Sequence, residues 1–291
     1  MGKAPDRAVS TTAPRRYVRC STDVCLPTEA YTSTVAIGVR CKDTFHPLGT
    51  GTLFQADTGP VCVTAAHVVK QAQLGPGELC IRAKGSQLFA IQNNEIGEDD
   101  SHILLAPEPL DVAVIPLPRI VVDVLGKRAL LHSSHVTADK GPSKGVYCLL
   151  GYPEHASGNS ISIEDQTESV PLHFITYGYG GTTQGLGSYH QRFHLLLAWS
   201  PPHTRGRSKI HKEAASISQE VFVNFPEGLS GMSGCSVWKL ASHRDCPDTA
   251  SMGSQRIVAL QTGLYPESRI VKATKWTVVL ALLNGGIGDP V

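Results

Sequence analysis

The sequence predicts an all-β protein, and three observations carry that reading. About a dozen short runs rich in β-branched and aromatic residues recur between Ser33 and Tyr265. Gly, Pro, Asp or Asn clusters bound them, at a spacing expected of sandwiches or barrels. The 28 Gly and 19 Pro supply the many turns such a fold requires. Helical periodicity is scarce; its best instance is the C-terminal KWTVVLALLNGG, which the paired Gly after Asn284 would stop.

Taken in order, residues 1–32 are rich in Pro, Ser, Thr and Arg without periodicity and read as a flexible N-terminal arm. Strand-like runs follow: STVAIGV (33–39), TGTLFQA (50–56), VCVTAA (61–66), LCIRA (79–83), LFAIQ (88–92) and VAVIPL (112–117). After a polar interval come VYCLLGY (146–152), PLHFITY (171–177), FHLLLAW (193–199), VFVNF (221–225), CSVWKL (235–240) and RIVALQTGLY (256–265). The Gly-rich YGYGGTTQGLG (177–187) lacks the Lys and the helix of a phosphate loop, so it reads as a long hairpin turn. The basic PPHTRGRSKIHKE (201–213) reads as a solvated surface loop, with regulation or anion docking as its functional alternatives.

Composition narrows the class. With 41% hydrophobic and 18% charged residues the chain can bury a core and is not disordered. A net charge of +1 gives no reason to expect nucleic acid or an anionic membrane as partner. No apolar run approaches the ~18 residues of a membrane span, and the first residues lack an apolar signal region. A cytoplasmic location is therefore expected. Of the eight cysteines, Cys62 and Cys148 lie in apolar strand-like runs and read as buried free thiols. Cys20, Cys25 and Cys41 with His46 are too loosely spaced for a zinc site, and neither a metal nor a cofactor is expected.

Three stretches carry chemistry. His67 stands in VTAAHVV, where small residues before it let the ring sit against the core with one edge open. Imidazole titrates near neutrality and can take and return a hydroxyl proton. Asp111 opens the apolar run DVAVIPL and is placed to accept from an imidazole Nδ1–H, fixing the tautomer. Ser233 lies in GLSGMSGCSVW, whose glycines permit a tight bend that exposes Oγ. The backbone N–H groups of Gly231 and Ser233 would converge as an oxyanion hole. Taken singly, each has a plainer reading as a half-buried histidine, a strand-start carboxylate or a turn serine.

The order His, Asp, Ser in TAAHV, DVAVI and GMSGCSVW resembles the chymotrypsin-like (trypsin-fold) serine peptidases, most closely the bacterial-type and HtrA-like members. GTGTLFQADTGPVCVTAAHVV, VYCLLGYP and RIVALQTGLY are similar to further segments of that family. The resemblance covers residues 33–285 and leaves a tail of 286–291. It implies two packed six-stranded antiparallel β-barrels, divided near 120–145, with the site between them and a C-terminal helix. It also implies that His67 is the general base, Asp111 its orienter and Ser233 the nucleophile of an acyl-enzyme mechanism.

Departures from the family pattern set further expectations. Met232 stands where an acid or Asn is common, which removes the zymogen switch of the digestive members. Cys235 reads as structural, a redox-sensitive thiol being its alternative. By the same resemblance Glu227, Thr262, Gly263 and Leu264 border the substrate pocket. A buried Glu227 would favour Lys or Arg at the scissile position; a solvated carboxylate or a small apolar pocket stays open as an alternative. The expected function is a serine endopeptidase acting on protein or peptide substrates and regulated by a partner, such as a regulatory protein, or by an effector. The competing expectation, motivated by Met232 and Cys235, is a catalytically idle trypsin-fold binding module.

Overall fold

The protein is mostly β, with two antiparallel sheets and a short C-terminal helix. The computed structural model describes residues 26–83, 87–91, 102–126, 130–138, 145–153, 161–162, 171–199, 205–209, 220–224, 229–240 and 255–286. The first sheet is built from β1 (Thr34–Cys41), β2 (Thr44–Ala56), β3 (Gly59–Ala65), β4 (Glu78–Arg82), β5 (Leu88–Ala90), β6 (Leu104–Leu105) and β7 (Val112–Pro116). They pair in the order β5-β4-β1-β2-β3-β7-β6. The second sheet begins with β8 (Val146–Gly151), while β9 (Ile161–Ser162) returns to pair with β2.

The second sheet continues with β10 (Leu172–Gly178), β11 (His194–Ala198), β12 (Arg205–Lys209), β13 (Glu220–Asn224), β14 (Ser236–Leu240), β15 (Arg256–Tyr265) and β16 (Ile270–Lys275). Its order is β11-β16-β15-β14-β8-β10-β12-β13, and β10 also pairs with β11 at Tyr177↔Ala198 and Gly178↔Leu197. Each sheet thus counts eight strands where six were expected. The two-residue ribbons β6 and β9 and the three-residue β5 extend the first sheet, and the β12–β13 hairpin extends the second.

Burial follows strand alternation. Val35, Ile37, Leu53, Cys62, Ile81 and Ile115 fill the interior of the first sheet. Tyr147, Leu149, Phe174, Leu197, Val237 and Val271 fill that of the second. A third cluster joins the two: Phe54, Val63 and Val114 meet Leu150, Trp238, Leu260 and Trp276. The C-terminal helix Trp276–Leu283 closes this junction with Trp276, Val279, Leu282 and Leu283. Of the expected turn 177–187, Tyr177 and Gly178 are the end of β10, and residues 179–187 belong to the connection between the paired strands β10 and β11.

Three sequence expectations need revision. VCVTAA ends as a strand at Ala65, and a helix of nine residues, Ala66–Leu74, begins where strand flank was expected. Ala66, Val68, Val69 and Ala72 are its buried face, so packing overrides the β-branched bias of the segment. Part of the expected 201–213 loop is strand: Arg205–Lys209 pairs with Glu220–Asn224 through backbone bonds that need no hydrophobic alternation. The last residues of the expected arm form the helix Thr28–Thr32, anchored by buried Leu26 and Ala30. A further helix, Arg119–Leu125, and the strand Ile270–Lys275 were not foreseen.

Candidate active site

His67 is the second residue of helix Ala66–Leu74. The residue preceding that helix, Ala65, has no side chain able to cap it. Asp111 supplies the missing acceptors from the loop before β7. Its backbone carbonyl accepts from Ala66 N–H at 3.1 Å, and its Oδ1 accepts from His67 N–H at 2.9 Å. Its Oδ2 takes the imidazole Nδ1–H at 2.7 Å. One carboxylate therefore caps the helix and fixes the ring, with the negative charge at the positive end of the helix dipole. With Nδ1 engaged, Nε2 is the nitrogen left for chemistry. The His67 side chain is 45% exposed and that of Asp111 22%, so the ring opens to solvent while its holder is sheltered.

Asp111 adopts φ +51°, a left-handed conformation that Asp tolerates better than most residues. The second sheet holds its approach in place. Thr274 Oγ1 donates to Leu110 O at 2.6 Å, and Thr262 Oγ1 lies 3.2 Å from Thr274 Oγ1. His194 Nε2–H donates to Pro109 O at 3.1 Å while Nδ1 accepts from His190 N–H at 2.9 Å. Those two bonds define the neutral tautomer, and burial pulls the His194 pKa down to about 4.

Ser233 sits in the turn that leads into β14 and is half-buried. Thr50 of β2 fastens the turn to the first sheet. Thr50 N–H donates to Ser233 O at 2.8 Å, and Thr50 Oγ1 donates to Gly231 O at 2.8 Å. The same hydroxyl accepts from Tyr152 N–H at 2.9 Å, and Thr50 O accepts from Thr64 Oγ1 at 2.7 Å. Gly234 (φ +86°) has no room for a side chain: a Cβ would lie 2.1 Å from Thr50 O. The close approach of turn and sheet therefore requires glycine there.

Within this turn the N–H groups divide. Met232 N–H donates to Leu229 O, Gly234 N–H to Gln261 O and Cys235 N–H to Met232 O. The N–H groups of Gly231 and Ser233 have no partner among the described residues. The turn also lies against the His67 helix, because a Cβ on Gly49 would touch both Val68 and Ser233 O. No hydrogen bond joins Ser233 to His67 in this structure. Met232 is fully buried in the core of the second sheet. Cys235 is also fully buried, and burial pushes its thiol far above the ordinary range, which fits a structural thiol. Cys62 and Cys148 are likewise buried and free.

The expected pocket residues fare differently. Thr262 is buried, and a register shift between Gln261 and Gly263 turns its hydroxyl to Thr274. Gly263 and Leu264 are half-buried. Glu227 lies outside the described residues, as do Cys20, Cys25 and Cys246. Sequence reasoning missed Thr50, Thr64 and Thr274, because an isolated Thr in an apolar strand carries no sign of the distant carbonyl it binds.

No protein-family model matches the chain, and no curated protein matches it in sequence. Its backbone is similar to solved serine proteases. The serine protease domain of the Sesbania mosaic virus polyprotein aligns over 89% of this chain and 94% of its own at 13% identity, with a TM-score of 0.45. An active-form protease from M. tuberculosis aligns over 96% and 97% at 17% identity, with a TM-score of 0.44. A Glu endopeptidase aligns over 88% and 89% at 14% identity, with a TM-score of 0.43. Similarity of this order assigns no chemistry, which has to be read from the site itself.

Proposed function

We propose that the chain is a serine endopeptidase of trypsin-like fold that cleaves protein or peptide substrates through an acyl-enzyme. The observation that carries the reading is the double hold of Asp111 on His67, at 2.9 Å to the backbone N–H and 2.7 Å to Nδ1. It leaves Nε2 as the only ring nitrogen able to accept a proton. In this reading Ser233 Oγ gives its proton to His67 Nε2 as it bonds to the scissile carbonyl carbon. The developing oxyanion meets the unpartnered N–H groups of Gly231 and Ser233. His67 then protonates the departing amine as the C–N bond breaks, and Asp111 stabilises the imidazolium between the two transfers. Water repeats the sequence to free the acid. The β10–β11 pairing would close the second sheet into a six-stranded barrel, with the site between the two sheets.

A fluorophosphonate probe tests the reading directly. The purified chain is expected to gain one covalent adduct by intact mass, and Ser233→Ala to gain none. Wild-type protein that stays unlabelled overturns the assignment and leaves an idle binding module; a Ser233→Ala variant that still labels puts the reactive nucleophile at another residue.

A further inference from the structure

Lys272 is the charged group of the second sheet that nothing in the site uses. It lies on β16 between Val271 and Ala273, whose side chains fill the sheet's interior. Alternation puts Lys272 on the opposite face, beside Thr274, which reaches Leu110 O next to Asp111. The residue is only 8% exposed. Its ammonium has neither a hydrogen bond nor an ion pair among the described residues. Asp111, whose two oxygens accept from His67, acts on it through its charge but forms no ion pair with it. Glu108 is exposed and forms no ion pair with it. Burial pulls the Lys272 pKa below the ordinary lysine value, and the nearby charges of Asp111 and Glu108 push back.

A buried cation without a partner is unfavourable unless something supplies the counter-charge. The geometry indicates where that would come from. Lys272 pairs across the sheet with Gly263. A Cβ on Gly263 would lie 3.1 Å from Lys272 Cε, 3.7 Å from its Cβ and 3.9 Å from Nζ, the three nearest atoms. The missing side chain thus lets the lysine stem pass over β15. The ladder between β14 and β15 begins at Ser236↔Leu260, so Gly263–Tyr265 extend beyond β14 and pair only with β16. Among the described residues no strand pairs with their other edge, which can take an extended peptide as an added strand; Gly263 O accepts from Gln261 Nε2 at 3.2 Å.

We propose that Lys272 is a specificity-determining residue that binds the carboxylate of an Asp or Glu side chain on a peptide laid along Thr262–Leu264. The proposal rests on the peptidase reading for the identity of the ligand. It runs opposite to the basic preference that a buried Glu227 would give, so the two are separated by measurement.

The test uses acetylated peptide amides that carry Glu, Gln or Lys at each position in turn. Wild-type protein should cleave the best Glu peptide with a kcat/KM on the order of 30-fold above its Gln counterpart, the scale expected when one member of a desolvated charge pair is removed. Lys272→Met keeps the stem and should bring that ratio near one, with its melting temperature confirming the fold. Lys272→Glu should favour the Lys peptide. A wild-type preference for Lys or for uncharged residues, or a Glu preference that survives in Lys272→Met, overturns the proposal and leaves the peptidase reading standing. Fluorescence anisotropy of labelled peptides on Ser233→Ala gives the same comparison without turnover. If the fluorophosphonate leaves no adduct, the peptidase reading falls. Anisotropy then decides Lys272: tighter Glu binding lost in Ser233→Ala/Lys272→Met supports it, and equal binding of Glu and Gln overturns it.

Discussion

Asp111 holds two donors that asparagine cannot both satisfy. An amide offers one oxygen and one NH2, so in Asp111→Asn an oxygen kept on the helix N–H turns the NH2 to the ring, which then carries its proton on Nε2 and cannot accept one there. On the proposed mechanism, kcat/KM should fall on the order of 10⁴-fold, the scale set by holding a catalytic imidazole in the wrong tautomer. Single-turnover labelling by a fluorophosphonate would follow the same loss; unchanged labelling would remove Asp111 from the mechanism. His194 makes the second prediction at this scale. Its folded pKa, about 4, lies below its ordinary 6.5, so between those values the unfolded chain binds a proton that the folded chain refuses. Stability should therefore fall as the pH drops through that window, by about 3 kcal/mol in all. Melting curves from pH 7 to pH 4 check this, and the same slope in His194→Gln would assign it to another group. Protonation turns Nδ1 from the acceptor of His190 N–H into a donor, so that bond is the one lost, while Nε2–H keeps Pro109 O.

The next scale is the strand that carries Thr50. This single side chain donates to Gly231 O and accepts from Tyr152 N–H, joining β2 to both the Ser233 turn and the end of β8. Thr50→Val keeps the shape and removes both bonds, leaving two buried backbone groups unsatisfied. The expected cost is about 2–4 kcal/mol. In denaturant titrations the midpoint should shift accordingly, and turnover should drop further as the turn loses its tether. A Thr50→Val protein with wild-type stability would show that the turn holds itself.

Legibility also differs from element to element. RIVALQTGLY matched β15 residue for residue, because its apolar run ends at turn-forming residues. KWTVVLALL was read as helix and forms one, closing the junction. The helix bearing His67 was not read, since its β-branched Val68 and Val69 follow directly on the apolar run of β3. Besides the packing of its buried face, its start is capped by an acceptor 44 residues away in sequence, on Asp111. β16 escaped notice because Lys272 and Thr274 interrupt its apolar pattern; both point to the junction rather than to the core. The sequence singles out His67, Asp111 and Ser233 by their local settings, whereas it gives no sign of the threonines bonded around them, because each of those bonds crosses between elements.

For the molecule as a whole, the site is divided: His67 and Asp111 belong to the first sheet and Ser233 leads into the second. The apolar cluster joining the sheets therefore does more than stabilise each half. Trp276 is fully buried in it and packs on Phe54 with ring centroids 5.8 Å apart. Trp276→Ala should cost about 3–5 kcal/mol, a fall in melting temperature on the order of 10 °C for a chain of this size. Fluorophosphonate labelling should be lost with the same midpoint as the melt, because parting the sheets parts the proposed base from the nucleophile. Labelling that persists beyond the melt would show the halves to be independent.

The Thr50 tether has a practical consequence for recombining this chain with others. A crossover placed in the connector between β7 and β8 looks natural, since it transfers a whole sheet. It would also transfer the serine turn without the threonine that shapes it, and deliver it to a foreign β2. A working hybrid needs residues 50, 64 and 229–236 to travel together, although they lie at opposite ends of the gene.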